Sequence, residues 1–367
     1  MDDRSVRTCP KCGALITPQL DRCRVCGTYL HGTAFEGFLV EHLLPPQLRA
    51  SPGTGLIALL IGLFFVFQSL VAGPIQVFSF SPYSLRALGG LFGPDIVMGE
   101  WWRFVTSMFA HGGLLHLGFN LYALTIIGPV VEQLFDRKKM WTLYVASGVL
   151  SMVASYTWNV EVNGQLFSAS VGASGAISGL IGATIAGGRR EGPRGAILVR
   201  ICARWALYMV IFGLLVPGID NAAHAGGFLA GLGLGQVVPL GLTKSVAANR
   251  ALSVLMLGVF AGIVFCFAAM FDGLRRGPGS LADDAYPSSF LFLTLRKGTD
   301  WDQSTQYLAI QDCESALRGE ADAVEACRFA VRAHPHPVTY QMLARAYREA
   351  GNEKAVDRLR PVLRRLR

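Results

Sequence analysis

Charge is what this sequence has least of. Only 16% of its 367 residues are Asp, Glu, Lys or Arg, against roughly 25% in soluble domains. Together with a mean hydropathy of +0.41, that shortage argues against an ordinary soluble enzyme and for a chain that lives largely in lipid. Cysteine is sparse, 8 in all, which excludes a small disulfide scaffold. Disorder is excluded by a hydrophobic content of 52%. Glycine is abundant, at 42 residues, but has no three-residue period, so collagen is excluded too. The first 30 residues are polar, and no secretory signal peptide is expected among them.

What is present is a series of seven apolar stretches of about 20 residues, near 54–73, 113–134, 141–158, 171–188, 196–216, 222–241 and 251–271. Each is long enough to cross a hydrocarbon core of ~30 Å. The net charge of +8 has two common meanings, nucleic-acid binding or cytoplasmic loops of a membrane protein. Its distribution favours the second. Arg137, Lys138 and Lys139 follow the second stretch, Arg189, Arg190 and Arg194 the fourth, and Lys244 and Arg250 the sixth. The connections 158–170 and 217–221 contain no Lys or Arg. The bias predicts a cytoplasmic N-terminus and an extracytoplasmic C-terminus in a cell (inner or plasma) membrane, with Arg275 and Arg276 as the one opposing pair.

The predicted fold is an all-α polytopic membrane protein with a polar head and a polar tail. Residues 1–51 form the head and linker, 52–245 a six-span core, 246–272 a seventh span, and 273–367 the tail. In the head, Cys9-Pro-Lys-Cys12-Gly and Cys23-Arg-Val-Cys26-Gly are two copies of one turn. Each copy converges two thiolates on one point, and the pair completes a tetrahedral site, predicting a structural Zn2+ held by Cys9, Cys12, Cys23 and Cys26. In the tail, 323–331 and 338–348 show apolar residues at helical spacing, separated by His334-Pro335-His336-Pro337. Gly351 precedes a third amphipathic stretch, 353–366; the stretch around 323–355 has the length of one helical repeat, and a degenerate repeat could precede it near 301–317. The pattern resembles a tetratricopeptide repeat, a protein-binding unit, so partners of the tail are expected. In an oxidising compartment, Cys313 and Cys327 of this tail could pair. Cys202 and Cys266 read as small apolar fillers. The Arg-rich end, 358–367, reads as a solvated amphipathic helix, and no nucleic acid is expected as a partner.

Polar residues inside spans are costly and mark function. His111, His116 and Asn120 sit at the start of the second span, Ser174 at the start of the fourth and His224 at the start of the sixth. The predicted topology puts all five near the outer face. His116 and Asn120, at i and i+4, share a helix face. Gly172, Gly175 and Gly179 around the fourth span, and Gly227, Gly231 and Gly235 on the sixth, form small-residue ridges that allow close approach and bring Ser174 toward His224. A serine needs a base to take its proton, and the resulting oxyanion needs donors already in place. Asn120, His116 and the Ser174 amide can supply them. Asp220 reads as a solvated loop or capping residue, so the arrangement predicted is a Ser174–His224 dyad. Arg103, beside Trp101 and Trp102, is expected to anchor its loop at the interface.

His111-x4-His116-x3-Asn120, Gly172-Ala-Ser174-Gly175 and Ala223-His224-Ala-Gly-Gly227 followed by Gly231 closely resemble the rhomboid family of intramembrane serine proteases, and Trp102-Arg103 resembles its Trp-Arg signature. The resemblance covers about 53–241. It implies a six-helix core, a Ser174–His224 dyad in a cavity below the outer surface, and cleavage of transmembrane protein substrates near their outer ends without a catalytic cofactor. One departure stands out: the residue one turn after the nucleophile, commonly aromatic in the family, is Ser178, so support for the histidine ring must come from elsewhere. The rival expectation is a non-catalytic quality-control adaptor that recruits partners through its tail and head. A transporter with a proton relay is disfavoured, because charged residues are missing from the depths of the spans.

Overall fold

A computed structural model describes residues 7–8, 15–16, 48–49, 51–72, 74–97, 99–241, 243, 245–276, 303–319, 322–333 and 336–365. In the head, β1 (Arg7–Thr8) and β2 (Leu15–Ile16) pair antiparallel, with Arg7 opposite Ile16. Cys9, Cys12, Cys23 and Cys26 lie outside the described residues.

Among the described residues seven helices of 17 to 31 residues follow: α1 (Pro52–Ala72), α5 (Leu114–Phe135), α6 (Arg137–Tyr156), α7 (Ser174–Arg190), α8 (Ala196–Leu215), α9 (Asn221–Val237) and α10 (Val246–Arg276). They coincide with the seven apolar stretches of the sequence. Four segments, Pro52–Ala72, Leu114–Phe135, Gly192–Leu215 and Ala247–Asp272, are long and apolar enough to cross a membrane by themselves. The others are shorter or more polar, and α7 is the most enclosed, with 14 of its 17 residues buried. A helix sheathed by other helices needs less apolar surface of its own than one facing lipid.

Close backbone approach holds the centre together. A methyl group on Gly227 would overlap the carbonyl of Gly175 across the α7–α9 contact, and one on Gly231 the carbonyl of Gly179. On its other side α7 meets α6, where methyls on Gly175 and Gly179 would overlap Ser151 and Ser147. Ser147, Ser151 and Ser155 are four residues apart and buried, so α6 contributes a small-residue ridge of its own. Such ridges let helices gain packing in a medium that supplies no hydrophobic drive.

The ends of the bundle are also tied. Glu132 of α5 accepts hydrogen bonds from the Gly53 and Thr54 amides (2.9 and 3.0 Å), capping the buried first turn of α1. Helix α10 runs from one end of the bundle to the other. Near its start Lys138 Nζ donates to Asn249 and Ser253 (both 2.8 Å). Farther along, Phe267 packs edge-on against Phe64 and Phe109, and Met270 is buried near Gly89.

Between α1 and α5 lies a connection built from α2 (Pro82–Ala87), β3 (Leu91–Phe92), α3 (Gly93–Val97) and α4 (Arg103–Thr106). Here the structure corrects one expectation. Arg103 is not an interfacial anchor; it is 2% exposed, paired with Glu100 (2.6 Å) and Asp95 (3.2 Å), and donates to the carbonyls of Arg86 (2.6 Å) and Gly90 (2.8 Å). Arg86 joins the same network through Asp95. Burial alone would push the Asp95 carboxyl up, but the two guanidiniums outweigh it and hold it below its usual range. Fixed acceptors around the Arg103 guanidinium are what offset the cost of burying its charge. Its neighbour Trp101, by contrast, is 72% exposed.

The tail consists of α11 (Gln303–Ala316), α12 (Ala323–Ala333), α13 (Pro337–Glu349) and α14 (Glu353–Arg365). Cys313 and Cys327 form a disulfide joining α11 to α12. It lies in a core with Tyr340, Leu343, Tyr347 and Leu359, all wholly buried.

A bulky residue at the α7–α9 contact is expected to be costly. Gly231→Val should lose about 1–3 kcal/mol or more, read as a lowered unfolding midpoint in detergent. Gly233→Ala, with open space around it, should match wild type.

Candidate active site

The chain reaches Ser174 through a short two-stranded ribbon. β4 (Ala169–Ser170) pairs antiparallel with β3, Leu91 opposite Ser170. Gly172 then donates its amide to the Ser107 carbonyl (2.9 Å) and adopts φ +121°, a conformation that a side chain strongly disfavours. Ser174 is the first residue of α7, where backbone N–H groups have no acceptor within the helix.

Across the α7–α9 contact, Ser174 Oγ and His224 Nε2 are 2.8 Å apart. Both side chains are half-buried. The approach follows from the glycine packing: with no side chains between Gly175 and Gly227, the first turns of the two helices come within reach of one short hydrogen bond. Asp220 caps α9 by accepting from the Ala223 amide (2.9 Å) and also accepts a hydrogen bond from the Ser155 hydroxyl of α6. Its carboxylate is thus occupied on the helix end, and among the described residues no acceptor meets His224 Nδ1.

His116 and Asn120 converge on the same place from α5. A methyl on Gly172 would lie 2.7 Å from His116 Nε2 and 3.7 Å from Asn120 Nδ2. His116 Nδ1 accepts from the Gly112 amide (3.2 Å), which leaves the ring proton on Nε2, toward Gly172. One hydrogen of the Asn120 amide is taken by the His116 carbonyl (3.0 Å), leaving the other available. Two donors from α5 therefore stand beside Gly172, two residues before Ser174.

His111 is wholly buried behind this group. Its Nδ1 donates to the Phe109 carbonyl (2.9 Å), its amide donates to Gln68 of α1 (3.1 Å), and its ring meets His116 edge-on at 5.1 Å. Trp102 lies under the Arg103 guanidinium, 4.5 Å from Cζ to the ring centre. Ser178 donates to the Ser174 carbonyl (2.7 Å) and lies 3.8 Å from the thioether of Met209 in α8. Sequence reasoning missed Met209, Ser155 and the Ser147–Ser151 ridge. The four-residue serine spacing on α6 was a usable signal for the last two; nothing local marks Met209.

Fold and site together define a multi-pass helical membrane protein that places a serine hydroxyl against an imidazole inside its bundle, with amide and imidazole donors beside them. Residues 98–240 match the family model of the Rhomboid domain, a stretch that holds every residue of this site. Rhomboid protease GluP of Bacillus subtilis (strain 168) is 31% identical over 214 residues, which cover 57% of this chain and 39% of the relative. RHOMBOID-like protein 5 of Arabidopsis thaliana is 36% identical over 173 residues, covering 43% and 50%. Rhomboid protease AarA of Providencia stuartii is 27% identical over 256 residues, covering 63% and 90%. The chain thus spans half or less of the length of the first two. The Rhomboid match and these relatives support the rhomboid family for this chain.

Gly172→Ala introduces a methyl against His116 Nε2 at a strained φ. It should slow labelling of Ser174 by a fluorophosphonate probe by roughly 100-fold, while the protein still inserts and folds in detergent.

Proposed function

We propose that this protein is an intramembrane serine endopeptidase that cleaves transmembrane protein substrates near the outer face of the membrane. The observation that carries the reading is the 2.8 Å contact between Ser174 Oγ and His224 Nε2 at the end of the bundle where Gly172, His116 and Asn120 also meet. The similarity to named rhomboid proteases supports it.

In this reading His224 Nε2 takes the hydroxyl proton as Ser174 Oγ attacks the scissile carbonyl. The carbonyl oxygen becomes an oxyanion, held by the Ser174 amide, the Asn120 amide and His116 Nε2–H. Collapse transfers the proton from His224 to the leaving amine and forms an acyl-enzyme on Ser174. Water then enters and attacks the ester as His224 takes its proton; His224 returns that proton to Ser174 Oγ as the acyl bond breaks, which frees the second product as a carboxylic acid and restores the dyad. Asp220 acts at a distance by fixing the first turn of α9, so the unit is a dyad. Substrates would be helices that unwind readily near the outer face, because a hydrogen-bonded helix hides its carbonyls. The lipid bilayer is the working medium, the N-terminus is cytoplasmic and the C-terminus extracytoplasmic.

Ser174→Ala and His224→Ala should each abolish cleavage of a helix-destabilised model substrate by the reconstituted protein without changing its expression; cleavage retained in either overturns the reading. Asn120→Ala should lower kcat by roughly 100- to 1000-fold.

The four-cysteine head is read as a structural zinc ribbon. Metal analysis of the purified chain should find about one zinc per molecule, lost in the double variant Cys9→Ser/Cys23→Ser, while peptidase activity on a minimal substrate persists.

A further inference from the structure

The tail is not separate from the membrane body. Val160 and Leu166, from the connection between α6 and α7, are buried in the same core as the tail's Tyr340 and Leu343. They reach it because the end of α6 widens into a π-helical turn, Thr157–Val162, a local irregularity often found at functional positions. The next residue along, Glu161, pairs with Arg365 of α14 at 2.7 Å.

Tyr340 stands at the centre of this contact. Its ring packs on Phe167 at 6.0 Å between centres. Its hydroxyl interacts electrostatically with the buried Arg86 guanidinium, and burial pushes that hydroxyl's pKa up to about 12, so it remains a neutral phenol. Phe167 lies two residues before β4, and Arg86 lies five residues before β3. One tail side chain therefore packs on the approach to β4 and interacts electrostatically with the approach to β3, the two strands of the ribbon that leads into Gly172 and Ser174. The Arg86 carbonyl and the Gly90 carbonyl are held in turn by Arg103, so the grip extends into the body's own buried network.

We infer that Tyr340 is a positioning residue of the peptidase: docking of the helical tail through Tyr340 and Arg365 sets the β3–β4 ribbon and thereby the geometry of Ser174. This rests on the proposed peptidase reading and adds the control of that site from outside the bundle. A partner that drew the tail away would slow turnover, and one that reinforced the contact would sustain it.

The test uses the full-length protein in liposomes and a single-span model substrate with no extracytoplasmic domain, so that the tail has nothing on the substrate to bind. Tyr340→Ala should lower kcat about tenfold or more with little change in KM, and Tyr340→Phe, which keeps the ring on Phe167, should recover most of the loss. Arg365→Glu, at a partly exposed position that need not disturb the tail's core, should also slow cleavage, and the exchange Glu161→Arg/Arg365→Glu should restore it. If Tyr340→Ala and Arg365→Glu both turn over as fast as wild type, or if the charge exchange gives no rescue, the inference is overturned. Wild type is run beside Ser174→Ala in each assay. An inactive wild type would count against the peptidase reading itself, whereas an active wild type with indifferent tail variants would count only against the coupling.

Discussion

The approach of α7 to α9 is the constraint on which the rest depends. At Gly227 and Gly231 the backbone of α9 rests against carbonyls of α7, with no room for a methyl group between them. That contact is what brings one turn of each helix close enough for a 2.8 Å Ser174–His224 hydrogen bond. Packing of this kind is short-ranged and unforgiving: a fraction of an ångström forfeits much of the dispersion energy and moves the Ser174 hydroxyl relative to the His224 imidazole. The serine ridge of α6 supports α7 from the other side, so α7 is placed by contacts with two small-residue surfaces rather than by large apolar side chains.

A second constraint follows from the medium. Polar groups withdrawn from water need partners, and this structure satisfies many of its own in networks that also shape the site. Asp220 is spent on the α9 cap and on Ser155; it stabilises the helix that carries His224 instead of the imidazole directly. Arg86, Asp95, Glu100 and Arg103 pair with one another inside the first connection. Breaking a buried pair of this sort by removing one partner typically costs about 3–5 kcal/mol, so the network fixes the connection and, through the Gly90 carbonyl, the ribbon beside Ser174.

Much of this was legible in the sequence, for identifiable reasons. Helix positions followed from apolar length, and the meeting of Ser174 with His224 followed from glycines at four-residue spacing, because both are local patterns with a direct physical consequence. Arg103 was misread for the opposite reason. Its neighbours Trp101 and Trp102 suit an interface, and its true partners, Asp95, Glu100 and the carbonyls of Arg86 and Gly90, are gathered only by the folding of a loop with no periodicity. The Cys313–Cys327 pair was visible as a possibility, since only the packing of α11 on α12 decides it. The seating of the tail on the loop before β4 left no signal in either segment, because Tyr340 and Phe167 are more than 170 residues apart and each reads locally as an ordinary buried aromatic.

The position one turn beyond Ser174 shows how such a site adapts to a change of residue. A serine there leaves space where a ring would stand and adds a hydroxyl that must be satisfied. Ser178 meets the second demand by donating to the Ser174 carbonyl, which ties the nucleophile's own peptide into the first turn of α7. The space is bordered by Met209 from α8, a flexible and polarisable side chain suited to irregular gaps. Helix α8 has only Cys202 and Gly213 buried, and it is joined to α9 by the bond from the Asn221 amide to the Gly213 carbonyl, 2.9 Å, one turn from Met209. The wall beside Ser178 is therefore supplied by the most exposed helix of the core rather than by α7 itself. Local stability is lowest where buried apolar contacts are few, so motion of α8 would be felt at Ser178 first, one turn from the Ser174 hydroxyl.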